Sequence, residues 1–500
     1  MLNKIGFDNK KYIQQQTDAI LQRIDQIGGK LYLEFGGKIF DDYHAGKVLP
    51  GFDINVKTKI LLNLKEKAEI LFCIKADDLE SNRLRADFGI SYGSDLIRLV
   101  GALRGLGLLC QNAVITQFEN QPAAVSYKAK LENTLGMTVY IHRKTKGYPT
   151  DVKTIVSEEG YGQNPYIETT RPLVVVTAPG PNSGKLATCL AQLYHEHKRG
   201  VDAGYAKFET FPVWNLPLDH PVNLAYEAAT ADIGDINMED SYHKAATGID
   251  AVNYNRDLKV FPILNSILKT IYGREVYRSP TEMGVNRVGF AICDDEVVRE
   301  AAKQEIIRRY YRALTGIKLG NKKAEAELEK IELLMGRLQI APQDRPVVQP
   351  ALDRLKTLED PNSTVIALQL KDGSIVTGRN NGIMTAAASV VLNAVKKLAG
   401  MPDEIKLISE GILKPMVEVK VKELHYKSRL VNLKEVLLAL SICAVTSDVA
   451  ERCLRQLKNL DFTDAHSTCI LREADEKALR RLNIFVTSEP TYNEVESKFD

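Results

Sequence analysis

The residues best suited to do chemistry lie in Leu173-Val-Val-Val-Thr-Ala-Pro-Gly-Pro-Asn-Ser-Gly-Lys185. A β-branched apolar run empties into a Gly/Pro loop ending in Gly-Lys, and residues 186–199 carry a helical pattern. Strand, tight loop and helix N-terminus aim backbone N–H groups at one point, and a lysine adds a charge there. That is phosphate-binding chemistry, and it singles out Gly180, Asn182, Ser183, Gly184, Lys185 and Thr188. The spacing departs from G-x-x-x-x-G-K-[ST]: Pro179 holds the first glycine position and Leu186 stands where a Mg²⁺-binding hydroxyl belongs. Ser183 and Thr188 are the nearest hydroxyls. A plain βαβ turn with a solvated lysine accounts for the same residues.

The residues beyond the loop strengthen the phosphate reading. Gly200 closes the helix, and Gly204-Tyr-Ala-Lys-Phe-Glu-Thr-Phe211 reads as a second strand carrying Lys207 and Glu209. Strand, loop, helix and strand make a βαβ unit. Over residues 173–211 this pattern resembles the divergent P-loops of the dethiobiotin synthetase type, in which a second strand also brings a lysine to the site.

Other constellations offer polar chemistry. Gly36-Gly37-Lys38 comes after a strand-like run and precedes Asp41, Asp42, Tyr43 and His44. Glycine after a strand lets backbone approach a ligand, so Gly37 and Lys38 are candidates for an anionic oxygen. His44 is a candidate catalytic residue beside Lys185 and Lys207. A polar surface turn is the alternative. Gly378-Arg379-Asn-Asn-Gly382 precedes an Ala-rich helix, and the planar Arg379 guanidinium suits phosphate or carboxylate; ordinary turn chemistry also explains it. Asp232 and Asp235 are the Mg²⁺ candidates within an acidic stretch that includes Glu239 and Asp240. Their spacing is not that of an EF-hand, and a solvated acidic loop explains them more simply. Asp464-Ala-His466-Ser-Thr468 places a carboxylate near a histidine, without a G-x-S-x-G or comparable nucleophile.

The elements that must position these residues alternate. A helix is expected over 10–28, a strand entering a glycine loop over 30–38, a helix over 57–67, a strand over 69–75, a helix over 94–106, a strand over 114–118, a helix over 121–135 and a strand over 138–142. Residues 212–289 read as loop-rich, 294–337 as charged helix, and Pro342, Pro346 and Pro350 as a linker. In the last stretch, Lys371-Asp-Gly-Ser374 between two apolar runs signals a hairpin, and a helix is expected next, over 384–398. The expected organisation is α/β and multi-domain with parallel and mixed sheets: an N-terminal α/β domain over 1–165, a P-loop-like region over 166–293, a helical subdomain and linker over 294–358, and a C-terminal α/β domain over 359–500.

The 500 residues are 44% hydrophobic, enough to bury full cores, and their 66 basic against 64 acidic side chains give no reason to expect nucleic acid or an anionic membrane as partner. No apolar run reaches the ~18 residues of a membrane span, and the N-terminus lacks a signal-peptide core. Seven cysteines, an odd number without C-x-x-C, suit reduced thiols in a cytoplasm and neither a zinc site nor a disulfide frame.

Glu34-Phe-Gly-Gly-Lys-Ile-Phe-Asp-Asp-Tyr-His44, Val48-Leu-Pro-Gly-Phe52, Thr281-Glu-Met-Gly-Val-Asn286, Val376-Thr-Gly-Arg379 and Asp464-Ala-His-Ser-Thr468 together resemble an uncharacterised family of bacterial proteins of about this length. The resemblance spans essentially the whole chain. It implies a multi-domain α/β architecture with a helical subdomain and a C-terminal α/β/α domain, and it implies no activity. The C-terminal layout is loosely similar to the cytidine-deaminase fold, but the H-x-E and P-C-x-x-C of a zinc deaminase are missing. Two functions therefore fit the residues: an ATP-dependent ligase- or kinase-like enzyme using a nucleotide with Mg²⁺, or a non-catalytic protein that senses a phosphorylated or anionic small molecule. The sequence leaves a homo-oligomer open.

Overall fold

The computed structural model describes residues 4–85 and 89–493. The chain divides into two compact units. The first combines Gly6–Tyr226 with Asp235–Asp295, and the second combines Glu227–Gly234 with the chain from Glu296 onward.

The first unit is built on a parallel sheet of six strands: β1 (Lys30–Phe35), β2 (Ala68–Lys75), β3 (Leu109–Phe118), β4 (Thr138–Arg143), β5 (Leu173–Thr177) and β6 (Ala203–Phe208). Their order is β4-β3-β2-β5-β1-β6. All five residues of β5 are buried, as expected of a central parallel strand covered on both faces. Leu31 of β1 and Ala68 of β2 both pair with Leu173, so β5 lies between the first two strands of the chain. The first four strands and the P-loop-like βαβ share one sheet and one core, because each side of β5 is bonded to a strand from the earlier segment.

Local signals account for most helices. Helix Asn9–Ile27 starts where the Asp8 side chain accepts the Lys11 N–H and ends at Gly28 in the left-handed region. The segment 212–289 departs from its loop-rich reading. It holds helix Asn255–Tyr272, with Pro262 inside it, and a short hairpin of β7 (Asn237–Glu239) and β8 (Val252–Tyr254). Phe261, Leu264, Ile267, Leu268 and Ile271 of that helix pack into the same core as Val174, Val176 and Leu190. Burial of this stripe outweighs the ~3 kcal/mol that an interior proline costs.

The second unit carries a four-stranded mixed sheet of β9 (Val365–Gln369), β10 (Ile375–Arg379), β11 (Asp464–Ser467) and β12 (Phe485–Ser488), in the order β10-β9-β11-β12. β9 and β10 form the hairpin expected around Asp372-Gly373, with Gly373 at positive φ. Ile366 and Leu368 face helix Ala386–Leu398, whose first turn Thr385 caps, while Ala367 faces Val347 and Ala351. Helices thus cover both faces. Asp295–Lys318 and Ala324–Leu338 form the expected charged helical stretch. No helix among the described residues is long and apolar enough to cross a membrane.

Candidate functional site

The loop after β5 leads directly into helix Lys185–Lys198. It sits at the carboxyl end of the central strand, whose neighbours β1 and β2 continue in opposite directions across the sheet. Open α/β sheets bind ligands outside the carboxyl ends of strands at such a switch. Two residues bend the loop back on itself: Asn182 at φ 55° and Gly184 at φ 82°. A Cβ on Gly184 would lie 2.9 Å from Thr116, and one on Gly180 would lie 2.6 Å from the Tyr92 ring. The Thr116 hydroxyl, from β3, donates to the Ser183 carbonyl at 2.7 Å and fixes the turn.

Gly184 caps the helix without a side-chain acceptor. Thr188 N–H donates to the Gly184 carbonyl at 2.9 Å, closing the first helical turn. Among the described residues, the backbone N–H groups from Asn182 to Ala187 have no protein acceptor. The Ser183 side chain is 3% exposed, and its Oγ has no hydrogen-bond partner among the described residues. Buried hydroxyls normally find a partner, so donors converge here without a protein acceptor. Lys185 is half-buried at the first helical position. Thr188 instead faces the sheet: it is buried, and its Oγ1 accepts from the Cys73 thiol at 3.6 Å.

Beside the loop, β1 and β6 place a second set of charges. Glu34 pairs in register with Val176 of β5 and with Lys207 of β6. Val176, Tyr205 and Cys189 share one core cluster, so this is the sheet face that helix Lys185–Lys198 covers. The Cys189 thiol is driven up first by burial, and it also feels the Glu34 carboxylate and the Lys185 ammonium. Both charges therefore lie close to that helix's first turn. Tyr205 donates its hydroxyl to Glu34 at 2.8 Å. Lys207 Nζ lies 2.5 Å from Asp257 Oδ2 and 3.1 Å from Glu209 Oε1. Burial acts to lower the Lys207 value, but Asp257, Glu209 and Glu34 around it prevail and raise it. Burial pushes the Glu209 carboxyl up to about 7, with the attraction of Lys207 opposing. Lys207, Glu209, Trp214, Asp257 and Thr281 line a small cleft of about 50 Å³. A carboxyl poised near neutrality in a cleft is a recurrent mark of acid–base sites.

Of the remaining candidates, His44 packs on Phe211, which lines that cleft, and the turn of Gly37 and Lys38 follows Gly36, which abuts the Glu209 side chain; the others fall elsewhere. His44 lies in helix Tyr43–Val48, its ring edge-on to Phe211 at 5.1 Å and to Tyr226 at 5.6 Å. Gly37 adopts φ 68°, and Gly37 and Lys38 are exposed at the turn after β1. Asp42 is engaged by the buried Lys57 at 3.0 Å, which also donates to the Gly36 carbonyl. Asp232 is exposed, whereas Asp235 is buried and pairs with Arg256 at 3.2 Å. No group of three or more metal-ligating side chains forms among the described residues. Arg379 lines a cleft in the second unit. His466 is buried there between Thr487 and Glu489, at 2.9 and 3.1 Å, and burial lowers its value; Asp464 is held by Arg308 and Arg345.

Sequence reasoning did not select Glu34, Tyr205 or Asp257 for this site. For Glu34 and Tyr205 a signal existed: both are polar side chains on otherwise apolar parallel strands. Asp257 had none, because it sits in the first turn of a helix that read as loop.

Comparison with known proteins gives a family. Residues 5–339 match the model described as Domain of unknown function DUF1846, N-terminal, and residues 343–497 match its C-terminal counterpart. The chain is 52% identical over 495 residues to a UPF0371 protein of Clostridioides difficile (strain 630), covering 98% of each chain. It is 52% identical over the same length to a UPF0371 protein of Clostridium tetani (strain Massachusetts / E88) and 53% identical to one of Clostridium botulinum (strain Okra / Type B1), again covering 98% of each.

Proposed function

We propose, for a chain that belongs to the DUF1846 family, that the loop 180–185 binds a nucleotide or another phosphorylated small molecule. The observation that carries this reading is the set of N–H groups from Asn182 to Ala187, which lack protein acceptors at the head of a helix just beyond the central parallel strand. The unpartnered, buried Ser183 Oγ in the same turn supports it. Phosphate oxygens would accept from these groups, and Lys185 would add a point charge. The reaction class suited to the surroundings is ligase- or kinase-like phosphoryl transfer. Lys207 would neutralise developing charge, and Glu209, near neutrality, would accept a proton from the attacking group.

A second reading is binding without turnover, as in a metabolite sensor. Leu186 favours it, because it stands where a Mg²⁺-binding hydroxyl would and Thr188 is turned into the core. Under the enzymatic reading, Asp235, in the same unit as the loop, is the carboxylate proposed for Mg²⁺.

The test is calorimetric titration of the full chain with ATP and ADP, with and without Mg²⁺, beside Lys185→Ala. Loss of one charge-assisted contact, about 1.5–3 kcal/mol, should weaken binding roughly 10- to 150-fold. Fold stability should change by no more than about 0.5 kcal/mol, as at other half-exposed positions. Unchanged affinity with a large loss of stability would make Lys185 structural and overturn the reading. Release of phosphate from bound ATP separates the enzyme from the sensor.

A further inference from the structure

The second unit contains a cleft of about 320 Å³ that the loop 180–185 does not explain. Four cationic side chains line it, Arg354, Arg379, Lys396 and Lys406, against one carboxylate, Asp403. Arg379 projects from the end of β10 and makes no ion pair among the described residues. Lys396 is 7% exposed, and its Nζ donates to the Asp403 carbonyl at 2.8 Å, leaving two of its three donors for other acceptors. Among the described residues the Arg354 guanidinium reaches only the Thr357 hydroxyl, at 3.3 Å. Lys406 has one solvent-exposed partner, Glu410, at 2.9 Å, a type of pair that holds a lysine weakly.

An independent observation points into the same cleft. Ser389 lines it and is 9% exposed, and its Oγ has no hydrogen-bond partner among the described residues. The lining also includes the apolar side chains of Met384, Leu392, Ile405, Leu407 and Ile408. Excess positive charge, an unpaired guanidinium, an unsatisfied buried hydroxyl and an apolar wall are the parts of a small-molecule site, and the volume lies in the usual range for one. An anion with no organic part would leave the wall unused, and an uncharged apolar ligand would leave the cations unpaired.

We propose that this cleft binds a phosphorylated organic metabolite. Arg379 and Lys396 take the phosphate, Ser389 donates to it, and the carbon skeleton rests on the Leu392–Ile408 side. This site is separate from the loop 180–185 and does not depend on that loop binding anything.

The test is titration calorimetry of the full chain with glucose 6-phosphate as probe and inorganic phosphate in parallel. Saturable binding of glucose 6-phosphate at millimolar concentration or below is expected, tighter than that of inorganic phosphate. Arg379→Ala should weaken it about tenfold or more, the size of one charge-assisted contact. Lys185→Ala should retain this Arg379-dependent binding. Arg379 is exposed, so its variant should melt with the wild type, and Lys406→Ala should give a smaller loss in the same direction. No binding of glucose 6-phosphate overturns the proposal. So does equal binding of inorganic phosphate, an Arg379→Ala variant of unchanged affinity, or loss of binding in Lys185→Ala, which would place the probe at the first unit instead.

Discussion

At Glu209 burial and charge pull in opposite directions, and burial prevails: its carboxyl rises from the ordinary 4.5 to about 7 even with Lys207 3.1 Å away. A raised acid value means that the folded state holds its proton more tightly than the unfolded chain. The associated stability is therefore complete below about pH 4.5 and is lost as pH rises through about 7. The shift is worth on the order of a few kcal/mol at ~1.36 kcal/mol per pH unit. Glu209→Gln carries no such proton. Urea melts of the two proteins from pH 4.5 to 8 should diverge with rising pH, the wild type losing ground by up to that amount. Parallel curves would show that Glu209 titrates as an ordinary carboxylate. If the first unit turns over ATP, the same variant should remove the limb of the rate profile that rises through neutrality.

Among the elements, the turn between β5 and its helix is the most constrained. Gly184 combines φ 82° with Thr116 atoms at 2.9 Å from where a Cβ would stand. Gly184→Ala should therefore cost about 1–3 kcal/mol in a denaturant melt and, if the loop binds ATP as proposed, weaken that binding, because the N–H groups it aims would move. Lys185→Ala, one residue on, should affect binding alone. Much of this element was legible in the sequence. The apolar run Leu173–Thr177, the Gly/Pro loop and the amphipathic pattern after it are local signals, and the Asp372-Gly373 hairpin is another. What stayed hidden is long-range or conflicted. No local pattern states that β5 inserts between β1 and β2, so the register bringing Glu34 beside Lys207 could not be read. Helix Asn255–Tyr272 was obscured by Pro262 and a polar start, and so was Asp257, which neutralises Lys207. The Arg379 loop could be read as a turn with a cation, but its cleft depends on residues 384–408, which the local sequence does not join to it.

For the whole molecule, the seven cysteines provide a global check. None is bonded to another, six are buried, and Cys293 is exposed. Burial pushes the Cys73 and Cys110 thiols up to about 12, which suppresses the reactive thiolate. A thiol reagent should modify Cys293 rapidly in the native protein and all seven cysteines in denaturant, and a reductant should leave the melting temperature unchanged. Fewer reactive thiols in denaturant, or a melting point that falls under reduction, would reveal a cross-link or a metal.

The central place of β5 has a consequence for how the chain is made. As it leaves the ribosome, β1 appears first, but both of its partners in the sheet, β5 and β6, are still unsynthesised. Strands β2, β3 and β4 can associate as they emerge, leaving the inner edge of β2 open until Leu173–Thr177 arrives to join the two parts. Open edges of apolar strands invite pairing with the wrong chain, and contacts this distant in sequence form slowly. The nascent protein therefore passes through a long interval in which chaperone capture or aggregation competes with its own completion. The strand that ends this interval is the same one that delivers the loop proposed to bind phosphate, so that loop cannot be set before β5 has joined the sheet.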